Sequence, residues 1–584
     1  MIFCPYNRQG KLRRNMDILD QPVLYLDFQA SGASPAYGNL MEMGWAFGSP
    51  AGTSVQVNSV LFKQPADELV PDRIYKITGI DPDELELGED SEQMFASMLG
   101  QLEDETGIEA EAVAPPPCII HYARYELGFL RELLPEDTSC WPFEIFCTFE
   151  IARRLYPDIR TRGLHGLAGY LGFPLQGLKR SADHIDATVK IWAVMASTLR
   201  KDYGIQTYEN LRVWLDTTPV PKAGKKVYSL PREKRLGLPD VPGVYQFLDA
   251  KGGLLYVGKA SSLKKRVNSW FRGKKSKGGR LNEMLTMVHD LRWQETCHGI
   301  EACLVESDLI KSAAPPYNRA LTAGERKLGW LSKDGVLCSR EEAWIGPFRS
   351  LHRPALVSQI LLTEKLLAGE ETELVADFLR HEQWFAGVET LMSAVGSGPL
   401  TLTDWRRFLF KLWRWRREIE ELEDEVIDDE EQEDNDDLEE IDEDEQEEEP
   451  DAEDWETDDV VEWLEGQLVG FVNQCQRSRW FLRLSSSVVL VKDPDQGKGW
   501  LQIEIREGQM KCSSKNRKPR VVPWPNENPS RQERRQWFDV SCWDRLSVLI
   551  GELRRTCNRG GIVWIYLQKD KPISGHQLLE WMNL

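Results

Sequence analysis

Two tyrosines on adjoining predicted strands open a segment whose residue types could hydrolyse a phosphodiester. Gly243-Val244-Tyr245 is followed by Tyr256-Val257-Gly258-Lys259, and Arg266, Glu306 and Asn318 come after them. A phenol can act as a general base, and an arginine can stabilise charge that builds on phosphorus. A lone carboxylate can hold one metal ion that activates water. The set predicts metal-dependent phosphodiester hydrolysis.

The predicted secondary structure places these side chains near one another. Residues 244–248 and 254–257 read as two strands, and the connection 249–253 ends in two glycines that suit a tight turn. Ser261 and Ser262 can cap the next helix, in which Arg266 lies beside an apolar stripe. Antiparallel pairing of the strands would bring the two phenols together.

Glu306 lies on the apolar face of a predicted helix. Ala302, Val305, Leu309 and Ala313 form that face, and Glu306 shares it. A carboxylate on an apolar stripe is costly unless it is paired or bound to a cation. Either a lysine or arginine therefore meets Glu306, or the carboxylate holds a metal.

Together these motifs resemble the GIY-YIG nuclease domain, specifically the UvrC and Cho type. The matching segments are 242–245, 255–260, 263–267, 301–306, 309–311 and 316–318. The resemblance implies the catalytic residues Tyr245, Tyr256, Lys259, Arg266, Glu306 and Asn318. Glu306 would ligate one Mg2+ or Mn2+, and Tyr256 would be the general base, acidified by the cation and by Lys259. Arg266 would stabilise the transition state, Tyr245 would position water or phosphate, and Asn318 would support the site.

The charge distribution predicts a polyanionic partner for the same segment. The formal net charge is -22, but residues 418–465 contain 31 acidic and no basic residues. The remainder of the chain has 63 acidic against 72 basic residues, and residues 222–327 alone contain 21 basic against 10 acidic residues, a net of +11, so a basic module sits in an otherwise acidic chain. We expect DNA phosphates to contact Lys264, Lys265, Arg272, Lys274, Lys275, Lys277 and Arg280.

The N-terminal part resembles the DEDDh 3'-5' exonuclease family, but imperfectly. Asp27 follows a strand, and Glu126 and Asp186 come later in the expected order. The family binds two metal ions with four carboxylates, so Asp27, Glu126 and Asp186 are the implied metal ligands. Gln29 replaces a carboxylate, and Ser181 stands where the family has its histidine. His184 could substitute only with a rearranged backbone. The domain is either a retained fold with little catalysis or a weakened exonuclease.

The chain is too long for one core, and its fold class is multidomain α/β and α+β. We predict a degenerate exonuclease-like domain of RNase H-like fold at 18–204, a linker at 205–235 and a GIY-YIG domain at 236–325. A helical accessory region at 350–417, an acidic disordered linker at 418–465 and a small α+β domain of unknown function at 466–584 follow. The acidic linker is a solvated spacer or a DNA mimic that competes for the basic module.

The predicted function is a Mg2+- or Mn2+-dependent endonuclease that nicks one DNA strand in nucleotide excision repair. The resemblance implies damaged duplex DNA, presented by a damage-recognition complex such as a UvrB-type helicase. The resemblance implies a bacterial protein that associates with the nucleoid when on DNA. We expect it to be cytoplasmic, because no apolar run approaches the ~20 residues that span a bilayer. Two alternatives stay open: an active 3'-5' exonuclease with an accessory GIY-YIG part, and a non-catalytic DNA-binding scaffold.

Overall fold

Four sheets with packed helices make up the part of the chain that the structure describes. The computed structural model describes residues 16–52, 55–65, 70–106, 115–134, 141–173, 177–222, 224–272, 278–318, 327–333, 335–367, 382–394, 411, 414, 457–496, 499–519, 529–567 and 572–582. No helix within these ranges combines the length and the apolar character that crossing a membrane requires. The architecture is a mixed α/β, multidomain one, as predicted.

The N-terminal sheet has the order β3-β2-β1-β4-β5. Its strands are β1 (Val23–Ala30), β2 (Leu40–Gly48), β3 (Val57–Leu61), β4 (Pro117–Ile120) and β5 (Glu144–Cys147). β1 pairs antiparallel with β2 and parallel with β4, at the centre of the sheet. Apolar clusters lie on both faces, so β1 is almost wholly buried and reads as a nearly continuous apolar run.

Eight helices follow or flank these strands in the described ranges. They are α1 (Asp72–Thr78), α2 (Pro82–Glu86), α3 (Ser91–Thr106), α4 (Ala123–Glu132), α5 (Thr148–Leu155), α6 (Leu164–Tyr170), α7 (Ser181–Tyr203) and α8 (Tyr208–Thr217). The predicted linker at 205–235 is wrong at its start, because α8 packs on the domain core. Tyr208 and Leu211 are buried there, at the spacing of one helical face.

The central domain is a three-stranded antiparallel sheet with the order β7-β6-β8. Its elements are α9 (Arg232–Leu236), β6 (Gly243–Leu248), β7 (Leu254–Ala260), α10 (Leu263–Trp270), α11 (Gly279–Met287), β8 (Asp290–Glu295) and α12 (Gly299–Ala313). Asp249 closes the β6–β7 hairpin, accepting hydrogen bonds from the backbone N–H groups of Lys251 and Gly253. The Ser262 hydroxyl caps α10, as predicted.

A small ribbon and three helices follow. They are β9 (Gly329–Leu331), β10 (Ile345–Phe348), α13 (His352–Leu367), α14 (Glu382–Ala394) and α15 (Thr457–Leu484). The predicted acidic linker at 418–465 is wrong at its end, because 457–465 begin α15. Val460 and Leu464 are buried there, on a stripe continued by Leu468 and Phe471. The tryptophan- and arginine-rich segment 405–417 lies outside the described residues apart from 411 and 414, and 418–456 lie outside them entirely.

The C-terminal sheet is antiparallel with the order β13-β12-β11-β14-β15. Its elements are β11 (Ser487–Lys492), β12 (Trp500–Arg506), β13 (Gln509–Lys515), α16 (Arg531–Trp537), α17 (Val540–Asn558), β14 (Ile562–Tyr566), β15 (Ile573–Ser574) and α18 (Gly575–Met582). The sheet and its helices fit the predicted α+β domain. The domain core also contains Ile300 and Leu304 of α12, so it is continuous with the central domain.

Candidate active site

The two tyrosines lie side by side on the β6–β7 hairpin. Tyr245 pairs with Gly258, Phe247 pairs with Tyr256, and the two phenol ring centroids are 6.2 Å apart. A Cβ added at Gly258 would stand 2.5 Å from the Tyr245 hydroxyl oxygen. Real side chains do not approach so closely, and the glycine therefore leaves the space that the Tyr245 phenol occupies.

Tyr245 is held rigidly inside the domain. The indole N–H of Trp270 donates to its hydroxyl oxygen at 2.7 Å, and the Arg266 guanidinium also hydrogen-bonds to it. The ring has no exposed surface, and burial raises the pKa of the Tyr245 phenol. This residue suits a positioning role. Helical periodicity places Trp270 only on the apolar stripe of its helix and carries no information about where an indole N–H points, so this hydrogen bond was not predicted.

Glu306 on α12 reaches back to the hairpin. One of its oxygens accepts the backbone N–H of Lys259 at 2.7 Å, and the side chain is only 13% exposed. Burial raises the pKa of Tyr256, and the Glu306 charge raises it further, while Arg266 and Lys259 lower it. The predicted acidifying effect of Lys259 is present, but burial and Glu306 outweigh it. Because the charge of Glu306 acts on the Tyr256 phenol, these two side chains belong to one site.

Lys259 lies between two carboxylates. Its ammonium nitrogen is 3.9 Å from an oxygen of Glu306 and 3.6 Å from an oxygen of Glu552 on α17. Burial lowers the pKa of Lys259, but the Cys303 thiol and the two carboxylates more than offset this and raise it overall. Sequence reasoning found Glu306 but not Glu552, because no motif connects the C-terminal domain to the site.

Asn318 hydrogen-bonds to the edge of β7 that has no neighbouring strand. Its side-chain amide donates to the Val257 carbonyl and accepts from the Val257 backbone N–H, both at 3.0 Å. β7 is an edge strand, so these two backbone groups face away from β6 and lack a strand partner. The predicted supporting role of Asn318 thus has a physical form, since the side chain replaces a neighbouring strand beside Tyr256.

A family model described as the UvrC-like GIY-YIG domain matches residues 241–319. The chain therefore carries a UvrC-like GIY-YIG domain. A Mycobacterium tuberculosis protein provisionally named a bifunctional exonuclease/endonuclease is 28% identical over 257 residues, which cover 42% of this chain and 38% of that protein. That match extends well beyond the GIY-YIG domain.

Two further comparisons concern the GIY-YIG domain. The UvrABC system protein C of Moorella thermoacetica is 45% identical over 89 residues, or 15% of this chain and 14% of that protein. The chain thus spans well under half the length of these curated relatives. The magnesium-bound N-terminal endonuclease domain of UvrC from Thermotoga maritima has 32% sequence identity and a TM-score of 0.14. That match covers 15% of this chain and 94% of the solved domain.

The GIY-YIG donor set fits one hard cation held mainly by water. Among the described residues, no three His, Cys, Asp or Glu side chains are grouped so as to hold a metal. Mg2+ needs less than such a cage, because it keeps several waters and commonly binds through one or two carboxylates. Glu306, little exposed and oriented by the Lys259 N–H, offers one such carboxylate.

The exonuclease-like domain places Asp27 with Gln29 and His184. The Gln29 amide donates to an Asp27 oxygen at 3.3 Å, and His184 Nδ1 lies 3.2 Å from the same carboxylate. His184 is in the first turn of α7, and that position brings its imidazole to Asp27. Burial lowers the pKa of His184, but Asp27 more than compensates and raises it.

The other two predicted metal ligands of this domain differ in their relation to Asp27. Asp186 forms an ion pair with Lys190 one turn along α7 and is about half exposed. Glu126 is buried, and burial followed by the Asp27 charge raises its pKa well above the usual value. With no three-residue metal cluster in the described chain, the arrangement shows no cage formed by Asp27, Glu126 and Asp186.

The predicted phosphate-contacting residues are partly placed. Lys264, Lys265 and Arg272 are exposed on and after α10. Arg280 is also exposed, but its guanidinium donates to the Pro316 carbonyl and lies 5.7 Å from the Tyr317 ring centroid, so it helps to hold the end of the domain. Lys274, Lys275 and Lys277 lie outside the described residues.

Proposed function

We propose that this protein is a Mg2+- or Mn2+-dependent DNA endonuclease that nicks one strand in bacterial nucleotide excision repair. The observation that supports the chemistry is the convergence of Tyr256, Lys259, Arg266 and Glu306 within a UvrC-like domain. The repair context is inferred from relatives named as components of the UvrABC system. On this proposal the substrate is damaged duplex DNA, presented by a damage-recognition complex such as a UvrB-type helicase.

The proposed mechanism assigns one task to each side chain. Glu306 would hold the cation, which when bound lowers the pKa of water and polarises the scissile phosphate. Tyr256 would accept a proton from the attacking water as a phenolate. Burial and Glu306 raise its pKa, so the phenolate depends on the opposing positive charges of Arg266, Lys259 and the cation that Glu306 would hold. Arg266 also faces the charge that develops on phosphorus. Tyr245 stays neutral and orients the reacting groups.

Nicking of supercoiled plasmid tests the proposal. We expect wild type with Mg2+ or Mn2+ to convert supercoiled DNA to open circles, and Glu306→Ala or Tyr256→Phe to slow this by about 10²-fold or more. Both variants should still shift DNA in gels. Tyr37→Phe is a matched control, because Tyr37 is 84% exposed in the N-terminal domain. A wild-type protein that binds DNA but never nicks it over a range of both metals would instead indicate a scaffold.

A 3'-5' exonuclease is the weaker candidate. The name of the mycobacterial relative favours it, but the side chains that contact Asp27 are Gln29 and His184 rather than further carboxylates. Release of nucleotides from a labelled 3' end is the measurement. The exonuclease would be established if wild type released nucleotides, Asp27→Ala abolished the release and Glu306→Ala left it unchanged. We expect no such release.

A further inference from the structure

The C-terminal domain is docked on the helix that carries Glu306. Ile300 and Leu304 of α12 are buried in the core of that domain. Asp308 pairs with Arg545, whose Nε lies 3.0 and 3.1 Å from the two carboxylate oxygens. These contacts use the side of α12 that faces away from the β6–β7 hairpin, so one helix is shared by two domains.

A second ion pair between α12 and α17 is largely shielded from solvent. The Lys311 ammonium lies 2.9 Å from an Asp544 oxygen, and the two side chains are 17% and 8% exposed. Buried pairs resist screening by salt better than exposed ones. The pairing of Lys311 with Asp544 at one end, and of Cys303 with Glu552 at the other, makes α12 and α17 antiparallel.

Glu552 is the residue that this docking brings to the GIY-YIG site. Its side chain is 14% exposed, and one oxygen lies 3.6 Å from the Lys259 ammonium and 2.6 Å from Arg555. The charges of Glu552 and Lys259 both act on the Cys303 thiol, which therefore lies close to the same contact. A carboxylate from the C-terminal domain thus lies against a residue placed in the catalytic set of another domain.

Lys259 needs a partner other than Glu306 if the proposed function holds. When Glu306 holds a divalent cation, its negative charge is neutralised and can no longer attract the Lys259 ammonium 3.9 Å away. Lys259 would then face positive charge on that side. Glu552 supplies the opposite charge from a helix that the docking contacts hold in place, so it can retain the ammonium at the site.

We propose that Glu552 is a positioning residue that holds the Lys259 side chain at the nuclease site, and that the C-terminal domain is docked on α12 to supply it. The proposal rests on the proposed function for its catalytic consequence. The hold on Lys259 is a property of the chain itself and is measurable without catalysis.

Chemical labelling of lysines in the full-length protein tests the hold directly. An amine-reactive reagent followed by mass spectrometry gives the labelling rate of Lys259 relative to Lys265, whose side chain is 80% exposed. We expect Glu552→Gln, which keeps the shape and removes the charge, to raise this ratio about threefold in Mg2+, as for loss of a partly exposed ion pair. Glu504→Gln, at a partly exposed position on β12 of the same domain, should leave the ratio unchanged. Asp544→Asn weakens the docking that holds Glu552 in place but keeps the Glu552 charge, so it should raise the ratio less than Glu552→Gln does. An unchanged ratio in Glu552→Gln overturns the proposal.

Plasmid nicking then separates this inference from the proposed function. We expect Glu552→Gln to lower kcat about tenfold with a smaller change in KM, the pattern of an interaction made mainly in the transition state. Equal loss in Asp544→Asn and Glu552→Gln would assign the effect to docking alone and reject the positioning role. If wild type does not nick at all, the proposed function fails, while the labelling result still decides whether Glu552 holds Lys259.

Discussion

His121, just after β4, has an environment that makes the N-terminal domain sensitive to acid. Its Nδ1 lies 2.8 Å from the Thr148 hydroxyl, and the ring is 8% exposed. Burial, with a further contribution from the positive charge of His184, lowers the pKa of His121 to about 3. An unfolded histidine titrates near pH ~6.5. As the pH falls from about 6.5 towards 3, His121 therefore binds a proton in the unfolded chain but not in the native one. The free energy of unfolding decreases across that pH range.

We predict that the stability of the N-terminal domain decreases less on acidification in His121→Gln than in the wild type. At pH 5 the wild-type histidine costs about 2 kcal/mol of stability relative to pH 6.5 and above, at 1.36 kcal/mol per pH unit. The variant is less stable at neutral pH because it packs less well, but it loses about that much less between pH 7 and pH 5. The N-terminal thermal transition, followed at several pH values, measures the difference. Parallel profiles for the two proteins would show that His121 titrates normally in the fold.

At the scale of elements, strands were predicted well because alternation and apolar runs are local signals. The prediction of 244–248 and 254–257 closely matches β6 and β7. Helix breaks were predicted less well. The amphipathic pattern of 534–555 reads as one helix, but Asp539 accepts a hydrogen bond from the Cys542 backbone N–H and caps a new helix there. A single capping residue inside an amphipathic pattern is easily read as part of one continuous helix.

The site was predictable only as far as its motif extends. The residues of the GIY-YIG match lie within 80 or so positions, and the fold brings Tyr245, Tyr256 and Glu306 together as expected. Glu552 was not predictable, because its role depends on how two domains dock. The sequence shows that a histidine lies near Asp186, but it could not show that His184 contacts Asp27. That contact between the first turn of α7 and β1 depends on tertiary packing.

The Asn318 contact gives a prediction about β7. Removing the side chain in Asn318→Ala leaves the Val257 N–H and carbonyl without their protein partner, which costs about 1–3 kcal/mol locally. We expect faster hydrogen exchange at the Val257 amide and slower nicking, because the strand that carries Tyr256 loosens. Asn318→Asp keeps the acceptor but loses the donor, so it should retain protection at Val257 better than alanine does. Equal exchange in all three proteins would show that the edge of β7 does not need the side chain.

For the whole molecule, the GIY-YIG domain is packed between two others. α12 is buried against the C-terminal domain, and α11 packs on α6 of the exonuclease-like domain. Arg160, between α5 and α6, donates to the Tyr228 hydroxyl and to Asn282 of α11, which adds polar contacts to the same junction. From the sequence the domains were predicted to be separate units joined by linkers, because contacts between domains leave no periodic pattern in the sequence. The packing instead predicts that changes at one domain boundary alter the GIY-YIG domain.

Gly169 of α6 tests that expectation, because it lies directly against Met287 of α11. A Cβ at Gly169 would stand 2.4 Å from Met287 Cγ and 2.9 Å from its Cβ, so Gly169→Ala must push the two helices apart at about 1–3 kcal/mol. We expect faster hydrogen exchange in both α6 and α11. Combining it with Met287→Ala should restore part of the loss, a coupling of about 0.5–3 kcal/mol, because the new methyl fills space that the shortened side chain leaves. Gly100→Ala in α3, where an added Cβ meets nothing within 4 Å, should leave the junction unchanged. Additive effects of the two substitutions would mean that the domains do not share this contact in solution.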